Sequence, residues 1–185
     1  MIECEVKLKI ENPAEIKRNL ISLGFLEYDS LTETDKYFDT PNGEIRSNDR
    51  ALRIRETINH TTGNTYCQVN FKDKKLDSKS MSRHEYENEI DNAATMEKIL
   101  NCLGYFAVSP IVIKNRTLLR TSSINACIDS VDGLGDYLEL EAIVSTENEK
   151  EKELTRIEDI LSKLGYSLSD TTTTSYLSAL QKMTY

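Results

Sequence analysis

IECEVKLKI, residues 2–10, alternates without interruption: Ile2, Cys4, Val6, Leu8 and Ile10 are apolar, and Glu3, Glu5, Lys7 and Lys9 are charged. Period two is the mark of a β-strand, whose successive side chains point to opposite faces of a sheet. The segment therefore has one apolar face and one ionic face. Whether the ionic face meets water or other charges decides how the sheet is built.

Further strands are predicted at residues 25–40, 51–58, 65–72, 83–90, 106–119, 123–131 and 137–144. Thr40-Pro41-Asn42-Gly43 marks a turn, and Asp132-Gly133-Leu134-Gly135-Asp136 joins the last two strands. The polar run 72–82 reads as a mobile loop. Four helices are predicted. The first covers 13–23, with Pro13 at its start and Gly24 just beyond, and the second follows the Asp91-Asn92 cap signal as far as Gly104. The third covers 147–164, with Leu154, Ile157, Ile160, Leu161 and Leu164 on one side, and the last is short, at 175–182. Eight strands with short connections and no βαβ alternation give an α+β fold, a mainly antiparallel sheet able to close into a barrel with flanking helices. No repeat or linker divides residues 1–185, which read as one domain.

The other strands carry the same ionic patterning. Glu3 and Glu5 form an acidic i, i+2 doublet and Glu139 and Glu141 another, while Arg53 with Arg55 and Lys114 with Arg116 are basic. Such neighbours lie only ~6.5–7 Å apart on one face and repel unless an opposite charge intervenes. Lys7, Lys72, Arg83 and Asp129 extend the pattern, and the opposite phase is mostly apolar, as at Leu52 and Ile54. A solvent face would explain any one strand. Doublets segregated by sign over several strands point instead to an enclosed interior with a basic and an acidic wall, filled by a divalent cation on carboxylates and a polyanion on Arg and Lys.

The net charge of −8 argues against nucleic acid or an anionic membrane as partner. Residues 1–10 are too charged for a signal peptide and no segment reaches the length of a membrane span, so a cytoplasmic location is expected. Cys4, Cys67, Cys102 and Cys127 are widely spaced and indicate neither a disulfide framework nor a zinc site.

Glu3-Cys4-Glu5-Val6-Lys7 resembles the E-x-E-x-K motif of the CYTH superfamily, the triphosphate tunnel metalloenzymes that include class IV adenylyl cyclase and thiamine triphosphatase. Tyr37-Phe38-Asp39-Thr40, Leu52-Arg53-Ile54-Arg55, Phe71-Lys72, Arg83-His84-Glu85-Tyr86-Glu87, Lys114-Asn115-Arg116 and the block from Asp129 to Glu141 follow the family's further motifs in order. The resemblance implies that Glu3, Glu5, Asp129, Glu139 and Glu141 hold Mg²⁺ or Mn²⁺. It also implies that Lys7, Arg53, Arg55, Lys72, Arg83, Lys114 and Arg116 hold a small-molecule triphosphate, and that Tyr37 and Lys72 assist an attacking water. A lysine base requires a depressed pKa. Three outcomes stay open: hydrolysis of tripolyphosphate or an organic triphosphate, cyclisation of ATP to cyclic AMP and pyrophosphate, or binding without turnover. A monomer and a homodimer are both compatible with the exposed charged helices.

Overall fold

A computed structural model describes residues 2–76, 81–144 and 146–183. The alternating segment forms β1 (Ile2–Lys9), followed by α1 (Pro13–Ser22), β2 (Leu26–Asp39) and a short α2 (Glu44–Ser47). Next come β3 (Ala51–Asn59), β4 (Thr65–Lys75), β5 (Arg83–Ile90) and α3 (Ala93–Cys102). The chain ends with β6 (Phe106–Arg120), β7 (Asn125–Val131), β8 (Gly135–Val144), α4 (Glu147–Lys163) and α5 (Tyr176–Met183).

All neighbouring strands are antiparallel, and the sheet closes in the order β1-β5-β4-β3-β2-β6-β7-β8. The α+β barrel expected from the sequence is what forms. Two departures are local. α2 was not predicted; its four residues carry no apolar periodicity, and it exists because the Asp39 carboxylate accepts from the backbone N–H of Thr40, Ile45 and Arg46 at 2.7–3.1 Å. β4 runs three residues past the predicted end at Lys72, into the segment read as a mobile loop, and residues 77–80 of that segment lie outside the described residues.

Helix ends follow their sequence signals. Asn12 and Asn92 each accept a backbone N–H three residues on, and Thr146 forms a capping box with Glu149, so orphan first-turn donors are satisfied.

The apolar phase of the barrel faces outward. Val6 and Leu8 of β1, Ala126 and Ile128 of β7, and Leu138 and Leu140 of β8 pack under Ile16 and Leu20 of α1 and Ile157 and Leu161 of α4. Phe38 and Ile54 pack under Leu100 of α3. α5 lies differently: Tyr176 and Leu177 meet Val112, Val131 and Tyr137, so this helix stops one end of the barrel. The closing seam is uneven. β1 pairs with β8 over eight positions, from Ile2↔Val144 to Lys9↔Tyr137, but with β5 only at Ile2↔His84 and Glu3↔Arg83.

Because the core lies between sheet and helices, core and site can be perturbed separately. Leu161→Ala, at a fully buried position, should lower unfolding stability by about 2–5 kcal/mol in a urea titration while leaving ligand binding in the barrel unchanged.

Candidate active site

Inside the barrel the ionic phases converge on one cavity of ≈ 1030 Å³ that opens to solvent. Glu3, Glu5, Lys7, Tyr37, Arg53, Arg55, Lys72, Arg83, Lys114, Arg116, Glu139 and Glu141 all contribute to its wall. Twelve of the thirteen residues singled out from the sequence are therefore brought together; the exception is Asp129. This residue is fully buried behind the wall. Arg116 Nε and Nη2 donate to its two oxygens at 2.6 and 2.5 Å, and the Tyr176 hydroxyl donates to Oδ2 at 3.0 Å. Asp129 holds Arg116 in place and, unlike the other twelve, does not line the cavity.

The two-wall picture also needs revision. A third acidic doublet, Glu33 and Asp35 on β2, lies between the basic doublets of β3 and β6. Asp35 is gripped by Arg55 through Nε and Nη2 at 2.6 and 2.7 Å, and Arg53 Nη1 donates to it at 3.3 Å. Glu33 receives Arg55 Nη1 at 3.1 Å and lies 3.0 Å from Lys114 Nζ. Burial alone would raise both acids, but the cations overrule it: Lys114, Arg55 and Arg116 hold Glu33 down to about 2, and Arg53 and Arg55 hold Asp35 well below the usual carboxylate range. These acids stay ionised, so the basic wall carries its own counter-charge. The doublet had the same i, i+2 signal as the others and was legible in Glu33-Thr34-Asp35.

The basic side chains divide by how firmly they are held. Arg55 and Arg116 are locked by carboxylates, Arg116 also by Glu139. Arg53 is looser: among the described residues its nearest acid besides Asp35 is Glu85 at 4.0 Å, and its buried Nε has no hydrogen-bond partner. Arg83 donates to three backbone carbonyls, those of Met81, Asp49 and Asp73, at 3.2–3.4 Å.

On the opposite side, Glu5 and Glu141 lie directly across from one another on β1 and β8, an arrangement of like charges that is unfavourable by itself. Lys72 Nζ lies 2.6 Å from Glu3, 3.0 Å from Glu85 and 3.7 Å from Glu5. Burial lowers a lysine pKa, but these three acids more than reverse it, and Lys72 stays above its ordinary value. This is the opposite of what a lysine base requires, so Lys72 is a charged donor here. Burial, with too little positive charge to offset it, keeps Glu3 well above and Glu141 above the normal carboxylate range. Despite its burial Glu85 is held low by a hydrogen bond from the Glu3 carboxyl, by the Lys72 and Arg53 cations, and by a hydrogen bond from Asn70.

A divalent cation fits this donor set. The Glu3, Glu5, Glu139 and Glu141 carboxylates come from paired strands and are nearly enclosed; Glu139 is paired with Arg116, whereas Glu3 and Glu141 lack sufficient counter-charge. As they stand, no three acids, cysteines or histidines among the described residues converge as a ready coordination site. The Lys72 ammonium already occupies the place where Glu3, Glu5 and Glu85 meet.

Tyr37 lies beside Arg53 on β3 and packs against the Tyr176 cluster. Tyr176 carried no sequence signal, since one aromatic in a short terminal helix looks like ordinary packing. In the structure it touches Asp129, and Lys7 Nζ stands 4.1 Å over its ring.

Comparison with known proteins agrees with this geometry. The CYTH domain family pattern matches residues 1–176. A provisionally named adenylate cyclase of Methanocaldococcus jannaschii is 37% identical over 177 residues, covering 96% of this chain and 97% of the relative. Among solved structures, a Pyrococcus horikoshii OT3 protein superposes with a TM-score of 0.87 at 28% identity, covering 98% of this chain and 99% of that one. A Hippeastrum protein, a candidate adenylyl cyclase with a dominant triphosphatase activity, shares the fold at a TM-score of 0.66 and 20% identity, covering 98% and 95%. Pattern, relative and barrel all cover nearly the whole length, and the chain belongs to the CYTH family.

Proposed function

We propose that this protein is a divalent-metal-dependent triphosphatase that binds a linear triphosphate in the barrel and hydrolyses it. The observation that carries this reading is the wall of the ≈ 1030 Å³ cavity, which gathers Lys7, Arg53, Arg55, Lys72, Lys114 and Arg116 with the Glu3, Glu5, Glu139 and Glu141 carboxylates. A linear triphosphate presents a row of anionic oxygens, which guanidinium forks and ammonium groups match.

Glu3, Glu5, Glu139 and Glu141 would hold Mg²⁺ or Mn²⁺, which supplies neutralisation of phosphate oxygens and Lewis-acid polarisation. The chain's own residues bind and orient. Arg53, with its unpartnered Nε, and Lys7 have bonding capacity left for phosphate oxygens, while Arg55 and Arg116 give a fixed positive field. Lys72 contributes a charged donor to the transferring phosphoryl group. Water attacks the terminal phosphorus, the bond to the bridging oxygen breaks, the shorter phosphate leaves with that electron pair, and the water's proton passes to a phosphate oxygen. In a loose phosphoryl transition state positioning and charge carry most of the rate, which suits a site whose lysine is held protonated. Tyr37 lies on the cavity wall beside Arg53 and orients the water or the phosphate it attacks.

Class IV adenylyl cyclase activity is the second reading, favoured by the name of the Methanocaldococcus relative. The dominant triphosphatase activity of the Hippeastrum protein, which shares the fold, favours the first.

Incubation with Mg²⁺ or Mn²⁺ and tripolyphosphate or ATP separates the two: orthophosphate without cyclic AMP is expected, and cyclic AMP with pyrophosphate as the main products from ATP would overturn the hydrolase. Arg55 is a poor probe, since its removal takes the two-pronged partner from buried Asp35 and one of the cations from Glu33, and breaking a buried pair costs about 3–5 kcal/mol. Arg53→Ala leaves Asp35 paired with Arg55 and should lower kcat/KM for the triphosphate by about 10²–10³-fold with little change in melting temperature, read by steady-state kinetics and thermal denaturation.

Metal binding carries a second expectation. Because the Glu3 and Glu141 pKa values lie above the ordinary carboxylate range, protons compete with Mg²⁺ for these oxygens at higher pH than for ordinary carboxylates. Affinity should fall as the solution is acidified through the raised pKa range, and calorimetry in buffers of different ionisation enthalpy should register proton release on binding.

A further inference from the structure

We propose that Tyr176 is a positioning residue for Lys7, its ring forming the seat that aims the buried ammonium into the cavity. The inference builds on the triphosphate reading above. Lys7 is only 2% exposed yet lines the cavity, and among the described residues no carboxylate lies within the 4.0 Å of an ion pair from its Nζ. Of the other lysines lining the cavity, Lys72, Lys75 and Lys114 each have an acid at 3.0 Å or less, and Lys182 is exposed to solvent. What Lys7 has is an aromatic face: Nζ stands 4.1 Å from the Tyr176 ring centroid, a distance at which the ring quadrupole attracts a cation, and more strongly where water is excluded.

The ring is fixed on each side. Its hydroxyl donates to Asp129 Oδ2 at 3.0 Å, and Asp129 is clamped by Arg116. Tyr137 meets it edge-on at 5.1 Å between centroids, with 68° between the planes. The segment leading into α5 also fastens the Lys7 backbone. Thr172 N donates to the Lys7 carbonyl at 2.7 Å, and Thr171 bridges to Leu8. One stretch of chain thus sets both where the Lys7 backbone lies and where its ammonium points. A ring carries no formal charge, so it seats the Lys7 ammonium without taking the place of an anionic oxygen.

The test titrates tripolyphosphate into EDTA-treated wild type, Y176F, Y176L, K7M and the K7M/Y176L double variant by calorimetry. Y176L should weaken binding about 10-fold, or about 1.4 kcal/mol. Y176F, which keeps the ring, should stay within about twofold, and Y176L should add nothing in the K7M background, because coupled residues are non-additive. Wild-type affinity in Y176L, or an equal loss with and without Lys7, overturns the proposal. The Lys7 Cε proton shifts read the contact independently of any ligand: ring-current displacement is expected in wild type and Y176F and should vanish in Y176L. Its absence from wild type also overturns the proposal, whereas a displaced shift in a wild type that fails to bind tripolyphosphate removes the triphosphate reading and leaves the seat standing. Tyr176→Met, of similar volume without an aromatic face, is read in the same way if Y176L does not fold.

Discussion

Charge buried inside a sheet has to be matched by charge, and most of this molecule follows from that requirement. A doublet such as Arg53 and Arg55 on one strand face is tolerable only with acids close by, which Glu33, Asp35 and Glu85 supply from the neighbourhood. The same requirement inverts the usual β-barrel. The ionic phase occupies the interior, so apolar surface must be buried outside it, and α1, α3 and α4 exist to cover that surface. The helices are packing elements, and the chemistry-bearing residues are carried almost entirely by strands.

The matching is uneven, and the unevenness separates structure from function. Arg55 with Asp35 and Glu33, and Arg116 with Asp129 and Glu139, are closed sets whose charges satisfy one another. Around Glu3, Glu5 and Glu141 negative charge exceeds what Lys72 can offset, and burial drives Glu3 and Glu141 toward their protonated forms. Arg53 retains an unused donor. Surplus acid and unspent donors within one cavity are what the proposed binding of a cation and an anion together rests on.

Much of this could be read before any coordinates. Strict alternation in residues 2–10 specified a two-faced strand, and the i, i+2 doublets located the cavity wall through Arg53, Lys114 and Glu139. Pattern alone could not say which charged residues face the cavity and which stand behind it. Asp129 is in phase with the site, yet Arg116 and Tyr176 enclose it, a fact set by side-chain reach across strands. Lys72 was legible as a site residue but not as a charged one, since its state depends on three acids from β1 and β5. Tyr176 was illegible because nothing local reports that a helix far along the sequence returns to the first strand.

The seam between β1 and β5 bears on how the molecule is made. β1 is held chiefly by β8, more than 120 residues later, and touches β5 at only two paired positions. Long-range pairings of this kind close late, after the intervening chain has been ordered. Glu3 and Glu5 are synthesised well before Glu139 and Glu141, which lie across the seam from them. The apolar face of β1 and its acids are therefore without these partners until β8 has been made, and the barrel cannot close before the last of its strands exists.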